Sequence, residues 1–349
     1  MITHPHVKLN FGLSVLRRRE DGYHDLETLF VPYHGLSDTL EIIAGDDWSE
    51  TSASLFVRYD ASEIAQAIAP DGSVMVTVAR RGGVDWDPLK DLTVKAYGLL
   101  AADYKLPPMK IYLEKTSPVG AGLGGGSSDA AFALRMMAEL AGLDLGDAAL
   151  AAYAARLGSD CAFFVYDRPM LGEGRGEILT PYELDLSAYD IRVVVPAGIA
   201  VSTAEAYRGI RPRLSPGAEG CSLRDAECGP VRECIPQGAA PSACEGASNG
   251  TAQADRQLAD GSIPRKGLSS AAGGELPAGR GPMPLREALG RPVEQWRGAL
   301  VNDFETTVFA AHPELAAIKQ RLYDEGAIYA AMSGSGSALF GLYQKKSGR

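Results

Sequence analysis

Residues Lys115–Ala131 read KTSPVGAGLGGGSSDAA, a glycine-rich loop that runs directly into a segment with helical periodicity. Glycine at this density lets backbone N–H groups approach a ligand closely, and a helix N-terminus adds unpaired donors and the positive end of a dipole. Ser127, Ser128 and Asp129 are good residues for capping that helix, and the two hydroxyls can also donate to phosphate oxygens or approach a magnesium ion. The stretch therefore predicts an anion site. The glycines fall at five of seven consecutive positions, namely Gly120, Gly122, Gly124, Gly125 and Gly126.

Three phosphate-binding patterns can be compared with this loop. Gly120, Gly122 and Gly125 satisfy G-x-G-x-x-G, which alone is a weak signal for dinucleotide binding. That motif should follow a strand immediately, whereas Thr116–Val119 intervenes here, so a dinucleotide-dependent oxidoreductase is disfavoured. The Walker pattern fails because no G-K-[ST] ends the loop. The remaining reading is P-x-G-A-G-L-G-G-G-S-S-D-A-A, which resembles the central motif of the GHMP kinases.

Other segments resemble the same family in the same order along the chain. Val7–Phe11 (VKLNF), Leu157–Phe164 (LGSDCAFF), Gly172–Leu179 (GEGRGEIL) and Ser333–Ser337 (SGSGS) each look like one of its motifs. Asp21–Leu26 (DGYHDL) matches D-G-Y-H-x-[LI], which is typical of the branch that acts on 4-diphosphocytidyl-2-C-methyl-D-erythritol. Coincidence is implausible for this many motifs in the right order.

The resemblance implies an α+β architecture, the GHMP kinase fold. In that fold an N-terminal domain like domain 2 of ribosomal protein S5 is followed by a ferredoxin-like C-terminal domain, and the active site lies in the cleft between them. We expect the N-terminal ATP-binding domain over residues 1–167 and the C-terminal domain over residues 168–349.

The implied activity is the ATP- and Mg²⁺-dependent phosphorylation of the 2-hydroxyl of 4-diphosphocytidyl-2-C-methyl-D-erythritol. The products are the 2-phosphate and ADP, in the non-mevalonate (MEP) pathway to isoprenoid precursors. Two alternatives stay open: a GHMP kinase acting on mevalonate, homoserine or a sugar, and a nucleotide-binding protein without catalysis. The DGYH segment and Tyr207 favour the cytidyl substrate, and the presence of both Lys8 and Asp160 favours catalysis.

Phosphoryl transfer needs alignment, charge neutralisation and a group that receives the proton of the acceptor. By resemblance, Asp160 is expected to orient the acceptor hydroxyl and to receive its proton late in the reaction. Lys8 is its expected companion, because a nearby ammonium keeps a carboxylate ionised and can contact the transferring group.

The substrate side carries residues that the family uses for the cytidyl group and the polyol. Tyr23 is expected to stack on cytosine, His24 to hydrogen-bond to its edge, and Tyr207 to cover its opposite face. Base stacking contributes about 1–3 kcal/mol per base. Asn10 is expected to hydrogen-bond to the polyol or cytidyl side, or else to a neighbouring backbone group.

The resemblance also implies the ATP contacts. Lys115 is expected near adenine, and Asp91 stands where relatives often carry Asn beside the adenine pocket. Magnesium is expected because it bridges ATP phosphates, but no dedicated carboxylate cage is visible and no metal ligand is assigned. The expected ATP-binding residues are Lys115, Pro118, Gly120, Ala121, Gly122, Leu123, Gly124, Gly125, Gly126, Ser127 and Ser128, and those expected on the phosphate side are Ser333, Gly334, Ser335 and Gly336.

Composition limits the partners. With 349 residues and 46% hydrophobic content the chain can bury a large core, and the net charge of −10 argues against nucleic acid and anionic lipid as partners. No apolar run approaches the roughly 18 residues that span a bilayer, and Met1–Asn10 lacks the features of a signal peptide. We therefore expect a cytoplasmic enzyme that binds a small molecule, as a monomer or a homodimer.

Between about Arg211 and Pro284 the chain is dominated by Gly, Ala, Ser and Pro, and no aromatic residue occurs between Tyr207 and Trp296. Such a segment cannot bury enough apolar surface to offset its ordering entropy, so it predicts a disordered insertion within the C-terminal domain. The spacing of its cysteines does not match the paired C-x-x-C of zinc sites. These are Cys221, Cys228, Cys234 and Cys244.

Periodicity and turn residues predict the main elements. The D-G pair within Glu20–Tyr23 (EDGY) predicts a turn that joins the first two strands as a hairpin. The strands are expected at Val7–Leu16, Leu26–Val31, Asp38–Ile43, Lys110–Glu114, Asp190–Pro196 (a buried strand) and Ala338–Tyr343. The helices are expected at Leu92–Tyr104, Ser127–Leu140 and Ala310–Glu325, with a further one within Pro292–Phe309.

Overall fold

The structure is a computed structural model that describes residues 1–45, 47–213 and 283–345. The described residues belong to one compact unit. The predicted disordered insertion at about 211–284 lies almost wholly outside them, and so do the four cysteines of that segment.

Within the described residues the structure contains the six predicted strands, with shifted ends, and six further strands that the sequence pattern did not indicate. In chain order they are β1 Ile2–Thr3, β2 His6–Arg18, β3 His24–Ser37, β4 Thr39–Ala44, β5 Ile64–Ile68, β6 Val74–Arg80, β7 Met109–Lys115, β8 Met170–Glu173, β9 Ile178–Pro181, β10 Tyr189–Val194, β11 Tyr329–Met332 and β12 Leu339–Gln344.

The predicted helices are present as well, together with others that periodicity did not indicate. They are α1 Glu50–Arg58, α2 Leu92–Asp103, α3 Gly125–Leu140, α4 Asp147–Leu157, α5 Cys161–Tyr166, α6 Thr203–Tyr207, α7 Leu285–Leu289, α8 Phe304–Ala311 and α9 Pro313–Asp324, with 3₁₀ turns at Ala61–Glu63, Pro88–Lys90 and Val293–Gln295. Among the described residues, none of these helices combines the length and apolar character that crossing a bilayer requires.

A five-stranded sheet in the order β1-β4-β7-β6-β5 forms the first layer. Strands β6 and β7 are parallel, as expected for two strands joined through a helix, here α2. Val76, Val78, Ile111 and Leu113 are fully buried and share one core with Leu134 of α3. Both ends of the glycine-rich loop are therefore held, because β7 precedes it and α3 follows it.

Strands β2 and β3 form a long antiparallel hairpin within a second sheet of order β2-β3-β8-β9. The predicted D-G turn between them is confirmed: Gly22 has φ +85°, and the Asp21 carboxylate accepts a hydrogen bond of 3.0 Å from the Tyr23 N–H. The hairpin carries Lys8 and Asn10 on one strand and presents His24 at the start of the other.

A three-stranded sheet of order β10-β12-β11 packs with α8 and α9 in the C-terminal part. The ring of Phe11 on β2 lies against Trp296, Tyr329 and Phe340, with centroid distances of 5.9, 6.1 and 4.8 Å. Strand β2 is therefore packed against both the hairpin partner and the C-terminal sheet, so its side chains lie where the two parts of the molecule meet.

Two details of the predicted elements are wrong. Strand β10 forms as predicted but is not buried: among the described strands it pairs with β12 alone, at the edge of its sheet, and Ile191 and Val193 stay partly exposed. The helix predicted over Ala310–Glu325 begins only at Pro313, as α9, because Ala310 and Ala311 end α8, the helix expected within Pro292–Phe309, and His312 separates the two. Pro313 occupies the first turn of α9, where its missing N–H and fixed φ are tolerated, and it disfavours helical geometry in the residue before it.

Replacing Phe11 with Ala removes a fully buried ring that joins β2 to the C-terminal sheet. We expect the free energy of unfolding to fall by about 3–5 kcal/mol, as for other buried Phe-to-Ala changes, measured by urea denaturation. Trp48, which is 94% exposed, is the matched control, and Trp48→Ala should change stability by less than about 0.5 kcal/mol. Equal losses for the two variants would contradict this packing.

Candidate active site

The glycine-rich loop has an unusual backbone. Gly120, Gly122 and Gly124 have φ of +72°, +76° and +73°, in the left-handed region that favours glycine. Gly124 is the N-cap of α3, so the prediction that Ser127, Ser128 and Asp129 cap the helix is wrong. They already lie in the first turns, as the hydrogen bond of 2.9 Å from the Ser128 N–H to the Gly124 carbonyl shows.

Gly122 makes the closest backbone approach of the loop. A Cβ atom there would lie 2.2 Å from the Ser333 carbonyl oxygen, whereas a Cβ at Gly120 would meet no atom of the described residues within 4 Å. The Ser333 hydroxyl also donates to the Gly122 carbonyl at 3.1 Å. The loop is thus fastened to the SGSGS turn, which follows β11, by direct backbone contact.

Lys8 and Asp160, the predicted catalytic pair, lie together beside this loop. The Lys8 Nζ is 3.3 Å from Asp160 Oδ2 and donates to the Gly122 carbonyl at 2.9 Å. Lys8 is buried, while Asp160, the N-cap of α5, remains 28% exposed. The ammonium is held by the protein, and the carboxylate faces the open side.

Asn10 connects these groups from within. Its Oδ1 accepts from Lys8 Nζ at 2.5 Å and from the Ser333 hydroxyl at 3.4 Å, and its Nδ2 donates to Thr28 Oγ1 at 3.0 Å. Asn10 is 2% exposed. Its side chain therefore orients Lys8 through contacts with other side chains, and the contact with a neighbouring backbone group that was considered for it is not among these hydrogen bonds. Asn10 also borders the cavity that contains Lys8 and Asp160, so its contact with the polyol or cytidyl side stays a prediction.

Some residues of the SGSGS turn are buried in the protein, and others border a cavity. Ser333 and Ser337 are buried, and the Ser337 hydroxyl donates to the Ile199 carbonyl at 2.7 Å. Gly334 and Ser335 border the cavity that contains Lys8 and Asp160. Gly336 packs against Met332, where a Cβ would lie 2.6 Å from its sulfur atom. The residues of this turn that are open to a ligand are therefore the two at its centre.

A cavity of 340 Å³ on the other side of the loop matches the predicted ATP pocket. Pro118, Ser127 and Ala121 border it together with the glycines, and the Ala121 side chain is itself buried in the core. Leu123, which was also expected to bind ATP, has a buried side chain and does not border this cavity. Ser128 is fully buried. In the part of the chain that the structure describes, its hydroxyl has no hydrogen-bond partner.

Lys115 borders the same cavity, but its ammonium is held in a buried ion-pair cluster. It lies 2.5 Å from Asp38 Oδ2 and 2.7 Å from Asp129 Oδ2. Burial alone lowers the pKa of Lys115, but the carboxylates of Asp129 and Asp38 outweigh it, so the net shift of the pKa is upward. Lys115 is therefore a charged residue at neutral pH that ties β7 and α3 together.

Asp91 has both carboxylate oxygens engaged by protein groups. Oδ1 accepts from the Thr93 N–H at 2.9 Å and caps α2, and Oδ2 accepts from the Trp86 indole at 3.2 Å. Trp86 borders the cavity and was missed by the sequence reasoning, although an aromatic residue five positions before Asp91 is a usable signal.

The predicted cytidine-binding residues line a third cavity, of 710 Å³. Tyr23 is 56% exposed, whereas the rings of His24 and Tyr207 stack on each other with centroids 4.6 Å apart. Burial, together with the nearby Arg18, lowers the pKa of His24, so the ring is neutral at neutral pH and offers one donor and one acceptor. Burial and the charge of Asp160 raise the pKa of Tyr207.

Arg175 is a second residue that the sequence reasoning missed. Its guanidinium lies 5.0 Å from the centre of the Tyr23 ring, and it borders both the cytidine-side cavity and the cavity of Lys8 and Asp160. A basic residue between two glycines in GEGRGEIL was the available signal.

The three cavities form one row. The nucleotide-side cavity and the central cavity of 410 Å³ share Gly120, Gly122 and Gly124, and the central and cytidine-side cavities share Arg175 and Tyr207. An ammonium and a carboxylate thus lie between an amide-rich loop and an aromatic pocket, an arrangement suited to transferring an anionic group between two ligands.

Comparison with known families agrees with this arrangement. Residues 91–168 match the model of the GHMP kinases N terminal domain, and residues 285–349 match that of the GHMP kinases C terminal.

Relatives match over nearly the whole chain. A protein named 4-diphosphocytidyl-2-C-methyl-D-erythritol kinase from Azobacteroides pseudotrichonymphae is 35% identical, with 99% of this chain and 94% of the relative covered. One of the same name from Bacteroides fragilis is 35% identical, with 98% and 92% covered.

Solved structures share the architecture. A crystal structure of 4-(cytidine 5′-diphospho)-2C-methyl-D-erythritol kinase superposes with a TM-score of 0.59 at 27% identity, covering 98% of this chain and 90% of that one. A homoserine kinase from Cytophaga hutchinsonii superposes with a TM-score of 0.52 at 13% identity, covering 98% and 85%, which shows the fold alone. The α+β fold implied by the resemblance is confirmed.

Replacing Gly122 with Ala tests the contact between the loop and the SGSGS turn. Both Gly122→Ala and Gly120→Ala incur about 1–2 kcal/mol of left-handed strain, but only the first also drives a methyl group into the Ser333 carbonyl. We expect Gly122→Ala to lose a further 1–3 kcal/mol or so, the usual cost of overpacking, in urea denaturation. If the two variants are equally stable, the loop does not depend on this contact.

Proposed function

The chain belongs to the 4-diphosphocytidyl-2-C-methyl-D-erythritol kinases, a branch of the GHMP kinases, and from this premise we propose how its cleft carries out the reaction. The enzyme is a small-molecule kinase of the non-mevalonate pathway. It transfers the γ-phosphoryl group of ATP to the 2-hydroxyl of 4-diphosphocytidyl-2-C-methyl-D-erythritol and releases ADP. The observation that carries the proposal for its residues is the contact between Lys8 and Asp160 beside the Gly122 carbonyl.

Asp160 orients the acceptor hydroxyl and takes its proton. A carboxylate is a weak base toward an alcohol, since an aspartate has an ordinary pKa of about 3.9. The proton therefore moves late, after the loose transition state has made the hydroxyl more acidic. Before that point, the carboxylate acts mainly by alignment, for which its partly exposed position at the start of α5 is suitable.

Lys8 supplies positive charge to the same site. Its ammonium donates hydrogen bonds to Asn10 Oδ1 and the Gly122 carbonyl, and it forms an ion pair with Asp160 at 3.3 Å. Because these acceptors hold the ammonium before any ligand arrives, little reorganisation is needed when negative charge develops on the transferring group. Asn10 acts through Lys8 and is a positioning residue.

The triphosphate of ATP binds along the glycine loop. The backbone of Gly120–Gly126 and the N-terminus of α3 supply N–H donors and a positive dipole end. This local source of donors explains how a chain with a net charge of −10 binds a polyanion. Adenine then lies toward Trp86 and Asp91, in the cavity that these residues border.

The residues of the loop fit a magnesium ion. Ser127 borders the nucleotide cavity, and the buried oxygens Ser128 Oγ and Asp129 Oδ1 lack hydrogen-bond partners within the described residues. Oxygen donors of this kind, together with phosphate and water, are the ligands that Mg²⁺ prefers. Ser127, Ser128 and Asp129 would hold the ion, and when bound it would neutralise part of the charge of the ATP phosphates.

The cytidyl group binds in the cavity of Tyr23 and His24. The exposed ring of Tyr23 is free to stack on cytosine, and the neutral His24 can hydrogen-bond to its edge. Tyr207 stacks on His24, so its predicted contact with the opposite face of cytosine requires that this stack opens. These aromatic residues favour a nucleotide-linked acceptor over mevalonate, homoserine or a sugar.

Arg175 contacts the diphosphate of the acceptor. The substrate has cytidine at one end and the reacting polyol at the other, so its diphosphate must cross from the cytidine-side cavity to the cavity of Asp160. Arg175 borders both cavities. A guanidinium matches phosphate geometry with several donors, which makes it well suited to this junction.

Some expectations from the sequence stay predictions. They are the cytoplasmic location, the absence of nucleic acid and membrane partners, the monomeric or homodimeric state, and the division of the chain at residues 167 and 168.

Replacing Asp160 with Asn tests its role. We expect kcat to fall by about 10²–10⁴, the usual contribution of a positioned acid–base group, in a coupled assay of ADP release. The dissociation constant of ATP should stay close to that of the unchanged enzyme, because Asp160 does not border the nucleotide cavity. Asp144→Asn, at an exposed position, is the control, and full activity of Asp160→Asn would refute the assignment.

Replacing Arg175 with Ala tests recognition of the acceptor. We expect KM for the cytidyl substrate to rise about tenfold or more, since a hydrogen bond to a charged group contributes about 1.5–3 kcal/mol. KM for ATP should be unchanged. The control is Arg168→Ala, because Arg168 is exposed and borders none of the three cavities. An unchanged KM for the cytidyl substrate would contradict the contact.

A further inference from the structure

His6, His34 and Asp167 form a cluster away from the three cavities of the active site. His6 Nε2 lies 2.5 Å from Asp167 Oδ1, and the rings of His6 and His34 meet edge-on with centroids 4.2 Å apart. One ligand atom from each residue lies within 4.8 Å of the others. None of the three residues borders the nucleotide, central or cytidine-side cavity.

One nitrogen of the buried His6 ring lacks a hydrogen bond. Its Nδ1 is buried, and it has no hydrogen-bond partner among the residues that the structure describes. In each neutral tautomer one ring nitrogen donates and the other accepts, so the contact with Asp167 satisfies only one of them. The nitrogen that faces Asp167 is Nε2, so an ion bound between these two residues would leave Nδ1 unpaired, and what points to a ligand is the clustering of the three ligand atoms. His6 is 3% exposed, which makes this orphaned nitrogen costly.

We infer that His6, His34 and Asp167 bind a divalent transition-metal ion of the zinc class. Two imidazoles and one carboxylate form a mixed nitrogen and oxygen ligand set that suits Zn²⁺ and leaves one position for water. Mg²⁺ and Ca²⁺ prefer oxygen ligands throughout and are disfavoured here. The site is therefore separate in chemistry, as well as in position, from the magnesium of the kinase reaction.

The cluster can adjust to hold an ion. Zinc bonds of about 2.0–2.2 Å at a tetrahedral angle require the His6 nitrogen and the Asp167 oxygen to lie about 3.4 Å apart, so this pair must open from its 2.5 Å contact. His34 and Asp167 are both exposed and can move, while His6 is fixed in the core. The site thus has one rigid ligand and two adaptable ones.

The backbone at Asp167 supports a role for its side chain. Asp167 ends α5 with φ +47°, a conformation in which glycine is the usual residue. It is the one non-glycine residue with positive φ within the described ranges 1–45, 47–213 and 283–345. Asp and Asn tolerate this conformation better than other non-glycine residues do. An aspartate can therefore place a carboxylate at this position with little backbone strain.

The position of the cluster relates it to the catalytic pair. His6 begins β2, which carries Lys8, and Asp167 ends α5, which Asp160 begins. His34 lies on β3, the partner strand of β2. A bound ion would therefore join the elements that hold Lys8 and Asp160 without contacting either residue, and it would stabilise the fold around them.

The test measures Zn²⁺ binding to the full chain after chelator treatment, without nucleotide. The cysteines outside the described residues are first alkylated, because thiolates also bind zinc. We expect calorimetry to show one Zn²⁺ per chain and Tm to rise with Zn²⁺ concentration, as binding to the folded state requires. Mg²⁺ at the same concentrations should not reproduce this rise. A wild-type chain without saturable Zn²⁺ binding would overturn the site.

Three variants test whether Zn²⁺ binds at this cluster or elsewhere on the chain. His34→Ala and Asp167→Asn change exposed residues, and Asn tolerates the left-handed backbone, so both should fold. Each should weaken Zn²⁺ binding at least about tenfold, the lower end of the loss caused by altering even an outer-shell partner. His4→Ala, an exposed histidine outside the cluster, should bind Zn²⁺ as the unchanged chain does. If His34→Ala and Asp167→Asn bind as tightly as His4→Ala, the cluster is not the site.

Discussion

The close approach of Gly122 to the Ser333 carbonyl is the constraint on which the rest of the cleft depends. No residue with a Cβ fits there, because that atom would lie 2.2 Å from the carbonyl oxygen. The contact brings the glycine loop against the turn between β11 and β12, across 211 positions of sequence. With the loop fixed, its carbonyl at Gly122 receives the Lys8 ammonium, and the catalytic cation is oriented by the same contact.

Many of the buried polar groups around this contact are joined to one another by hydrogen bonds and ion pairs. Lys8, Asn10, Thr28 and Ser333 share hydrogen bonds beneath the central cavity. Below the nucleotide cavity, Lys115 and its two carboxylate partners, Asp38 and Asp129, join strand β7 to helix α3. Such networks are rigid when they are satisfied and costly when one member is lost. The charged side chains of the site are therefore held in place before the ligands bind.

Much of the fold could be predicted from local pattern, and the errors have physical causes. The D-G turn, the β2–β3 hairpin, α2 and α3 follow from turn residues and periodicity. Strand β10 was expected to be buried because a β-branched run does not reveal whether a second layer covers it. The cap of α3 was misassigned because a glycine with positive φ can begin a helix without a side-chain acceptor. Pro313 divides α8 from α9 where apolar periodicity continues.

The sequence by itself determined the glycine loop, the order of the motifs and the residue types of the site, since backbone freedom and local periodicity are properties of short segments. Only the tertiary structure decided which of these groups meet. Asn10 contacts Lys8 instead of facing only a ligand, Arg175 borders two cavities, and His6 meets His34 and Asp167. Contacts of this kind join residues far apart in sequence and arise from how strands and helix ends pack, so no local pattern encodes them.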